Sequence, residues 1–114
     1  MQNMKQDERA FNLCVRCGTC RTVCPAFLES GWESANTRGR MMIIKELTSG
    51  RLQADGDVLR SLNTCTTCGL CTESCPAGIS PPDIIERARR SLVSQGKMTP
   101  MQDALSRSIF QSGN

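Results

Sequence analysis

The chain of 114 residues has no histidine, no tyrosine, one tryptophan and three phenylalanines. Without histidine it lacks the side chain that most often serves as a general base near neutral pH. The few aromatic residues provide no stacking platform for nucleic-acid bases, and no basic stripe is interleaved with them. These absences argue against an acid–base enzyme and against a nucleic-acid partner.

Long apolar segments are also missing. The longest aliphatic run, Met41-Met42-Ile43-Ile44, is far shorter than the roughly 20 residues of a bilayer-spanning helix, so we expect no direct membrane span. Sustained alternation of polar and apolar residues is absent, which predicts an all-α fold. The length predicts a single domain over 1–114, with an N-terminal arm over 1–10 and a C-terminal helix over 97–114 available for a partner contact.

What the chain does contain is eight cysteines in two matching runs. Both have the spacing C-x-x-C-x-x-C-x-x-x-C-P, which is typical of bacterial [4Fe–4S] ferredoxins. A shift of 51 residues superimposes one run on the other, whereas the flanking segments do not match. The sequence therefore predicts two [4Fe–4S] clusters held by two ligand loops on one helical domain. The runs are Cys14, Cys17, Cys20, Cys24 and Pro25, and Cys65, Cys68, Cys71, Cys75 and Pro76.

The distribution of ligands follows from how such runs work. In two-cluster ferredoxins the fourth cysteine of each run ligates the other cluster. We therefore expect a first centre held by Cys14, Cys17, Cys20 and Cys75, and a second centre held by Cys65, Cys68, Cys71 and Cys24. Gly18 and Gly69 fill the same slot in the two runs, which favours either a turn or a close approach of the backbone to the cluster.

Zinc and disulfides are the alternatives for the cysteines. Structural zinc usually takes two separated C-x-x-C pairs or adds histidines, and four cysteines within eleven residues are too crowded for that. A disulfide framework suits a small secreted protein, but we find no signal peptide and a lower cysteine density. Free thiolates require a reducing compartment, so we expect a cytoplasmic protein. Any association with a membrane would occur through a partner.

The formal net charge of +3 counts every cysteine as neutral. An oxidised [4Fe–4S] centre with four thiolates carries about −2, so two centres bring the total to about −1. The basic excess is better explained as compensation for cluster charge than as a nucleic-acid footprint.

Apolar spacing and end signals predict four helices. The residues that share one face are Met41, Ile44, Leu47 and Thr48 in the first, Val58, Leu59 and Leu62 in the second, Ile84, Ile85, Ala88 and Leu92 in the third, and Met101, Ala104, Leu105 and Ile109 in the fourth. The first helix is predicted over 38–47, and the second starts at Asp55-Gly56-Asp57. The third begins at Pro81, after an N-cap at Ser80, and stops at Gly96, and the fourth starts at Thr99-Pro100.

Three residues near the first helix have open roles. Arg40 falls among apolar neighbours, so it either sets the potential of a cluster or extends to solvent. Arg38 falls on the polar side, which predicts solvent or a partner. Trp32 is predicted to be buried or half-buried by packing, with cluster shielding and partner anchoring as alternatives.

Further along the chain, Arg87, Arg89 and Arg90 are predicted to form a solvated face, with docking of an acidic partner as the alternative. Phe110 falls off the apolar face of its helix, so it either folds back or meets another subunit.

Taken together, these segments resemble α-helical ferredoxins. The likeness rests on Cys-Val-Arg-Cys-Gly-Thr-Cys-Arg-Thr-Val-Cys-Pro, Arg38-Gly39-Arg40 and Cys-Thr-Thr-Cys-Gly-Leu-Cys-Thr-Glu-Ser-Cys-Pro-Ala-Gly-Ile, and it covers about residues 10–95. Such modules occur in succinate dehydrogenase, in the C-type subunits of heterodisulfide reductase and anaerobic glycerol-3-phosphate dehydrogenase, and in glycolate and lactate oxidase iron–sulfur proteins. Gly31-Trp32-Glu33-Ser34 is most similar to heterodisulfide-reductase-type chains.

The resemblance implies a non-catalytic electron-transfer subunit of an anaerobic oxidoreductase complex, passing single electrons between a flavin or iron–sulfur donor and a catalytic partner. The implied partners are a flavoprotein, a Cys-Cys-Gly catalytic subunit or a membrane cytochrome. Because this sequence has no Cys-Cys-Gly motif, a reductase acting alone is disfavoured. The alternatives are a subunit of a glycerol-3-phosphate, glycolate, lactate or succinate/fumarate dehydrogenase, or a structural module stapled by its clusters.

Overall fold

The computed structural model describes residues 2–113, so Met1 and Asn114, which belong to the predicted domain, lie outside it. The fold is all-α as predicted, with no strand among the described residues. The α-helices are α1 (Glu8–Leu13), α2 (Pro25–Ser30), α3 (Thr37–Thr48), α4 (Gly56–Asn63), α5 (Leu70–Ser74), α6 (Pro81–Ser94) and α7 (Pro100–Ser112), and 3₁₀ helices span Gln2–Asp7, Thr19–Thr22 and Glu33–Ala35.

Helices α3, α4 and α6 supply most of the core, and their predicted apolar faces are buried. Asn36 caps α3, since its Oδ1 accepts a hydrogen bond of 2.9 Å from the Gly39 N–H. Asp55 caps α4 in the same way, accepting from the Val58 N–H at 2.9 Å. Ser80 precedes α6 as predicted, but its side chain makes no capping hydrogen bond.

The N-terminal segment is packed onto this core. Met4, Asp7 and Phe11 are buried, and the Asp7 carboxylate accepts hydrogen bonds from two nitrogens of Arg87 on α6. The ion pair corrects the prediction that Arg87 belongs to a solvated face. A buried carboxylate needs a cationic partner, and Arg87 supplies it.

Helix α7 begins at a capping box formed by Thr99 and Gln102 and buries none of its side chains. Its apolar face therefore lies in solvent, and Phe110 is 87% exposed without folding back. No helix within residues 2–113 combines the length and apolar composition needed to cross a membrane.

Candidate metal centre

The two cysteine loops have the same backbone conformation. Gly18 and Gly69 have φ values of +79° and +82°, and Arg16 and Thr67, at equivalent positions, have +59° and +54°. Left-handed backbone is uncommon for residues other than glycine, so two such pairs at matching positions indicate one shared loop geometry. The two cysteine runs therefore share similar backbone dihedral angles as well as the same cysteine spacing.

This conformation explains the two glycines. A Cβ atom at Gly18 would lie 2.9 Å from Arg38 Nη1, whereas one at Gly69 would meet no atom of the protein within 4 Å. The requirement that both positions share is therefore the positive φ of the turn.

The first three cysteines of the first run line a cavity together with two cysteines of the second run. The five are Cys14, Cys17, Cys20, Cys71 and Cys75. Its other walls are largely apolar and include Met41, Ile79 and Pro76. Three thiols of one run and the last thiol of the other therefore face a common space.

A second cavity has the converse composition. It is lined by Cys65, Cys68 and Cys71 of the second run and by Cys24 of the first. Cys71 and Thr37 line both cavities, so the two spaces are adjacent. Thr37 is the first residue of α3, which places the start of that helix between them.

The eight cysteines are all free thiols, and their environments differ. Cys24 and Cys71 are buried, whereas Cys17 and Cys68 are exposed. Burial raises the pKa of the Cys20 and Cys71 thiols, although a hydrogen bond from Thr37 acts in the opposite direction on Cys71. At the surface, the Thr19 hydroxyl, 3.3 Å from the sulfur, lowers the pKa of Cys17.

The donor set fits iron–sulfur clusters. Within residues 2–113, no three cysteine or carboxylate side chains converge closely enough to hold a single metal ion, as a zinc site would require. Each cavity nevertheless gathers at least four soft thiol donors among largely apolar walls, which suits a larger iron–sulfur group.

The Arg38-Gly39-Arg40 segment lies at the start of α3. A Cβ atom on Gly39 would lie 1.9 Å from the carbonyl oxygen of Glu33, so only glycine lets α3 approach the preceding 3₁₀ helix. This close contact fixes where the two flanking arginines project.

Arg38 lies at the first cavity, which corrects the prediction of a purely solvated or partner-facing side chain. Its Nε donates to Glu33 Oε1 at 2.6 Å, and its Nη1 donates to the Arg16 carbonyl at 3.4 Å. The pair lowers the pKa of Glu33 and raises that of Arg38 through their hydrogen bond. Arg38 therefore links the first loop to the segment before α3.

Arg40 is 1% exposed and lies at the second cavity, so it does not extend to solvent. Its Nε donates to the Ser61 carbonyl at 2.7 Å, and its Nη2 donates to Thr64 Oγ1 at 2.9 Å. Its Nη1 is 3.9 Å from the sulfur of Cys24. One side chain thus connects the end of α4 to a thiol of the other loop.

Arg89 is a site residue that the helical pattern missed. Its Nε donates to the Leu62 carbonyl at 3.0 Å and its Nη2 to the Cys65 carbonyl at 2.6 Å. With Arg87 and Arg89 bonded internally, only Arg90 of the predicted arginine face is exposed. The partners are carbonyl groups of a distant segment, which no periodicity in α6 reveals.

Trp32 is 72% exposed, so the prediction of a buried or half-buried side chain is wrong. Its backbone closes the turn before α3: its N–H bonds to Ser30 Oγ at 3.2 Å, and its carbonyl accepts from the Ala35 N–H at 2.9 Å. The turn holds the backbone and leaves the indole outside.

Comparison with known proteins identifies the class. Residues 10–79 match the model of the 4Fe-4S dicluster domain. Because the match covers more than half of the chain, the protein belongs to this family and is a [4Fe–4S] cluster-binding protein.

Individual relatives come from several oxidoreductase systems. The chain is 36% identical over 94 residues to the Bacillus subtilis protein named "Probable glycolate oxidase iron-sulfur subunit". The aligned region covers 82% of this chain and 21% of the relative. It is 35% identical over 101 residues to the C-type subunit of the ferredoxin:CoB-CoM heterodisulfide reductase of Methanosarcina mazei, covering 89% and 58%. It is 32% identical over 101 residues to lactate utilization protein B of Macrococcus caseolyticus, covering 88% and 21%.

The chain therefore spans between about one fifth and three fifths of these relatives. No solved structure gives a significant match.

Proposed function

We propose that the chain is an electron-transfer subunit that carries single electrons through two [4Fe–4S] clusters, between a flavin or iron–sulfur donor and a catalytic partner subunit. The observation that carries this proposal is the pair of adjacent cavities, one lined by five cysteines and the other by four, which share Cys71 and Thr37. Adjacent redox groups are what a chain of single-electron steps needs.

The ligand sets follow the predicted crossing between the runs. Cys14, Cys17, Cys20 and Cys75 hold the first centre, and Cys65, Cys68, Cys71 and Cys24 hold the second. Cys71 borders both cavities, and we assign it to the second centre because the spacing of its run places it third among the three local ligands.

The chain's own contribution is to hold, insulate and expose these centres. When bound, each cluster takes up and releases one electron. The apolar walls exclude water from the inner thiols, whereas Cys17 and Cys68 reach the surface, one at each centre. Each centre therefore has one accessible edge that a donor or acceptor can approach, which allows transfer in at one loop and out at the other.

A complex of heterodisulfide reductase type is the setting we favour. Relatives named as heterodisulfide reductase subunits of the C and D types support it, at 35% and 31% identity. The second candidate is a glycolate or lactate oxidising system, supported by the 36% identical relative named for glycolate oxidase. In either setting the partners are other oxidoreductase subunits: a flavoprotein, a Cys-Cys-Gly catalytic subunit or a membrane cytochrome, meeting a cytoplasmic protein.

Anaerobic reconstitution followed by potentiometric titration tests the proposal. We expect about eight irons per chain and two reversible one-electron steps, with spin-coupled signals when both clusters are reduced. A folded, colourless product would contradict cluster binding. Metal that is bound but cannot be reduced would instead favour the structural module. Co-purification with a flavoprotein or a Cys-Cys-Gly subunit, together with a test of whether the complex reduces a disulfide or oxidises a hydroxyacid, distinguishes the two settings.

A further inference from the structure

We propose that the charge of Arg40 raises the reduction potential of the second centre more than that of the first. The inference rests on the proposed function, because it concerns why two clusters in one chain would differ in reduction potential. It is carried by a buried cation that has no carboxylate partner among residues 2–113 and is directed at a cysteine sulfur.

The first step is the charge balance around Arg40. The side chain is 1% exposed, and no carboxylate of residues 2–113 forms an ion pair with it. A buried charge is costly unless an anion lies nearby. Its neighbours Ser61 and Thr64 contribute neutral acceptors. The anionic group in its surroundings is therefore the Cys24 thiolate together with the cluster that this thiolate would ligate.

The second step is that the guanidinium is held in place. Two hydrogen bonds, of 2.7 Å to the Ser61 carbonyl and 2.9 Å to Thr64 Oγ1, fix its plane against the last turn of α4. The remaining edge faces Cys24 Sγ at 3.9 Å. A guanidinium fixed from two sides acts as a permanent positive charge beside the sulfur, because it cannot move away when the charge of the centre changes.

The third step is the contrast with the first centre. Arg38 lies beside that cavity, but its side chain is 26% exposed and is paired with Glu33 at 2.6 Å. Arg16, which also lines that cavity, is exposed. Charges that are neutralised by a carboxylate or screened by water act far more weakly than a buried one. The uncompensated cation lies beside the second centre and therefore acts more strongly on it than on the first.

The last step is the direction of the effect. Reduction adds one negative charge to a cluster, and net charge, hydrogen bonds to sulfur and solvent exposure set its potential. Burial of Cys24 and Cys71 disfavours that added charge, which lowers the potential of the second centre. The fixed charge of Arg40 opposes this effect, so without it the more buried centre becomes the harder one to reduce.

The test uses potentiometric titration of the reconstituted full chain, after iron analysis of each variant. In Arg40→Gln we expect the ratio of reduced to oxidised second centre, at a fixed ambient potential, to fall at least about ten-fold, which is about 59 mV for one electron. The same ratio of reduced to oxidised second centre should change less than about three-fold in Arg40→Lys, which keeps the charge, and in the matched control Arg38→Gln. The signal lost in Cys24→Ser identifies the second centre.

Equal shifts at both centres, no shift in Arg40→Gln, or the same shift in the glutamine and lysine variants would overturn the inference. If Arg40→Gln binds fewer irons than the unmodified chain, Arg40→Met replaces it as the uncharged variant: a ten-fold lower ratio than in Arg40→Lys supports the role of charge, and equal ratios in the two variants contradict it. Failure of the unmodified chain to show two reversible steps would contradict the proposed function instead.

Discussion

The guanidinium of Arg89 donates a hydrogen bond of 2.6 Å to the carbonyl oxygen of Cys65, the first cysteine of the second run. The same side chain also bonds to the Leu62 carbonyl in the last turn of α4. Carbonyls at a helix end have no partner within the helix, and a basic side chain is a common substitute. Helix α6 thereby fixes the point at which the second ligand loop begins.

We therefore expect Arg89→Met to destabilise the cluster-loaded protein by about 1–3 kcal/mol, because partly buried carbonyls lose their donors. Denaturant titration under anaerobic conditions measures the free energy of unfolding. Arg90→Met, at the exposed neighbour on the same helix, should change it by less than about 0.5 kcal/mol. Equal losses in the two variants would show that the contact to Cys65 contributes nothing.

The crossing of ligands between the runs predicts which cluster a single cysteine affects. Cys24→Ser should impair the second centre although residue 24 belongs to the first run, and Cys75→Ser should impair the first. Iron content and the two paramagnetic signals of the reduced variants measure this. Loss of the Cys14, Cys17 and Cys20 centre in Cys24→Ser would disprove the assignment.

Gly39 gives a prediction about packing. Because its added Cβ would lie 1.9 Å from a backbone oxygen, Gly39→Ala should destabilise the fold by about 1–3 kcal/mol or more. Gly56→Ala is the control, since Gly56 lies in α4 with no atom within 4 Å of the added methyl group, and there alanine should be neutral or stabilising by up to about 1 kcal/mol. Thermal or denaturant unfolding of the loaded variants separates the two cases.

Removal of the clusters should unfold much of the domain. Small domains with few apolar residues depend on bound metal for folding, and here Arg40 would also lose its anionic neighbour. We expect anaerobic chelation to cause a large loss of the far-ultraviolet circular dichroism signal of helix, recovered on reconstitution. A chelated sample that keeps its native spectrum would show that the helices fold without metal.

Much of this architecture could be predicted from local sequence. The spacing of apolar residues defines the buried faces of α3 and α4, and Asp55 marks the start of α4, because helix ends and faces depend on near neighbours. The cap at Asn36 starts α3 at Thr37, one residue before the predicted start at Arg38. The cysteine runs indicate the cofactor because ligand spacing on a loop is also a local property. Arg40 was recognisable as unusual because a cation on an apolar face conflicts with simple burial.

Several contacts that were not predicted join distant segments, although the pair of Arg38 and Glu33 is local. Arg89 bonds to carbonyls 24 and 27 positions away, and Arg87 pairs with Asp7 across 80 positions. A helical pattern tells which face of a helix a residue occupies, but not which atoms of another element meet that face. Trp32 shows the converse limit: a large apolar side chain favours burial, yet a tight turn held by its own backbone turns it outward.

The interleaving of the two cysteine runs makes the halves of the chain interdependent. If the backbone were opened at the left-handed Gly50, between α3 and α4, each fragment would retain three thiols for its own cavity and the fourth thiol of its neighbour's. Under the proposed ligation neither fragment completes a centre alone, and mixing them with iron and sulfide should restore both at once. Cluster assembly would then require both fragments, and the colour of the clusters would report that the fragments have combined.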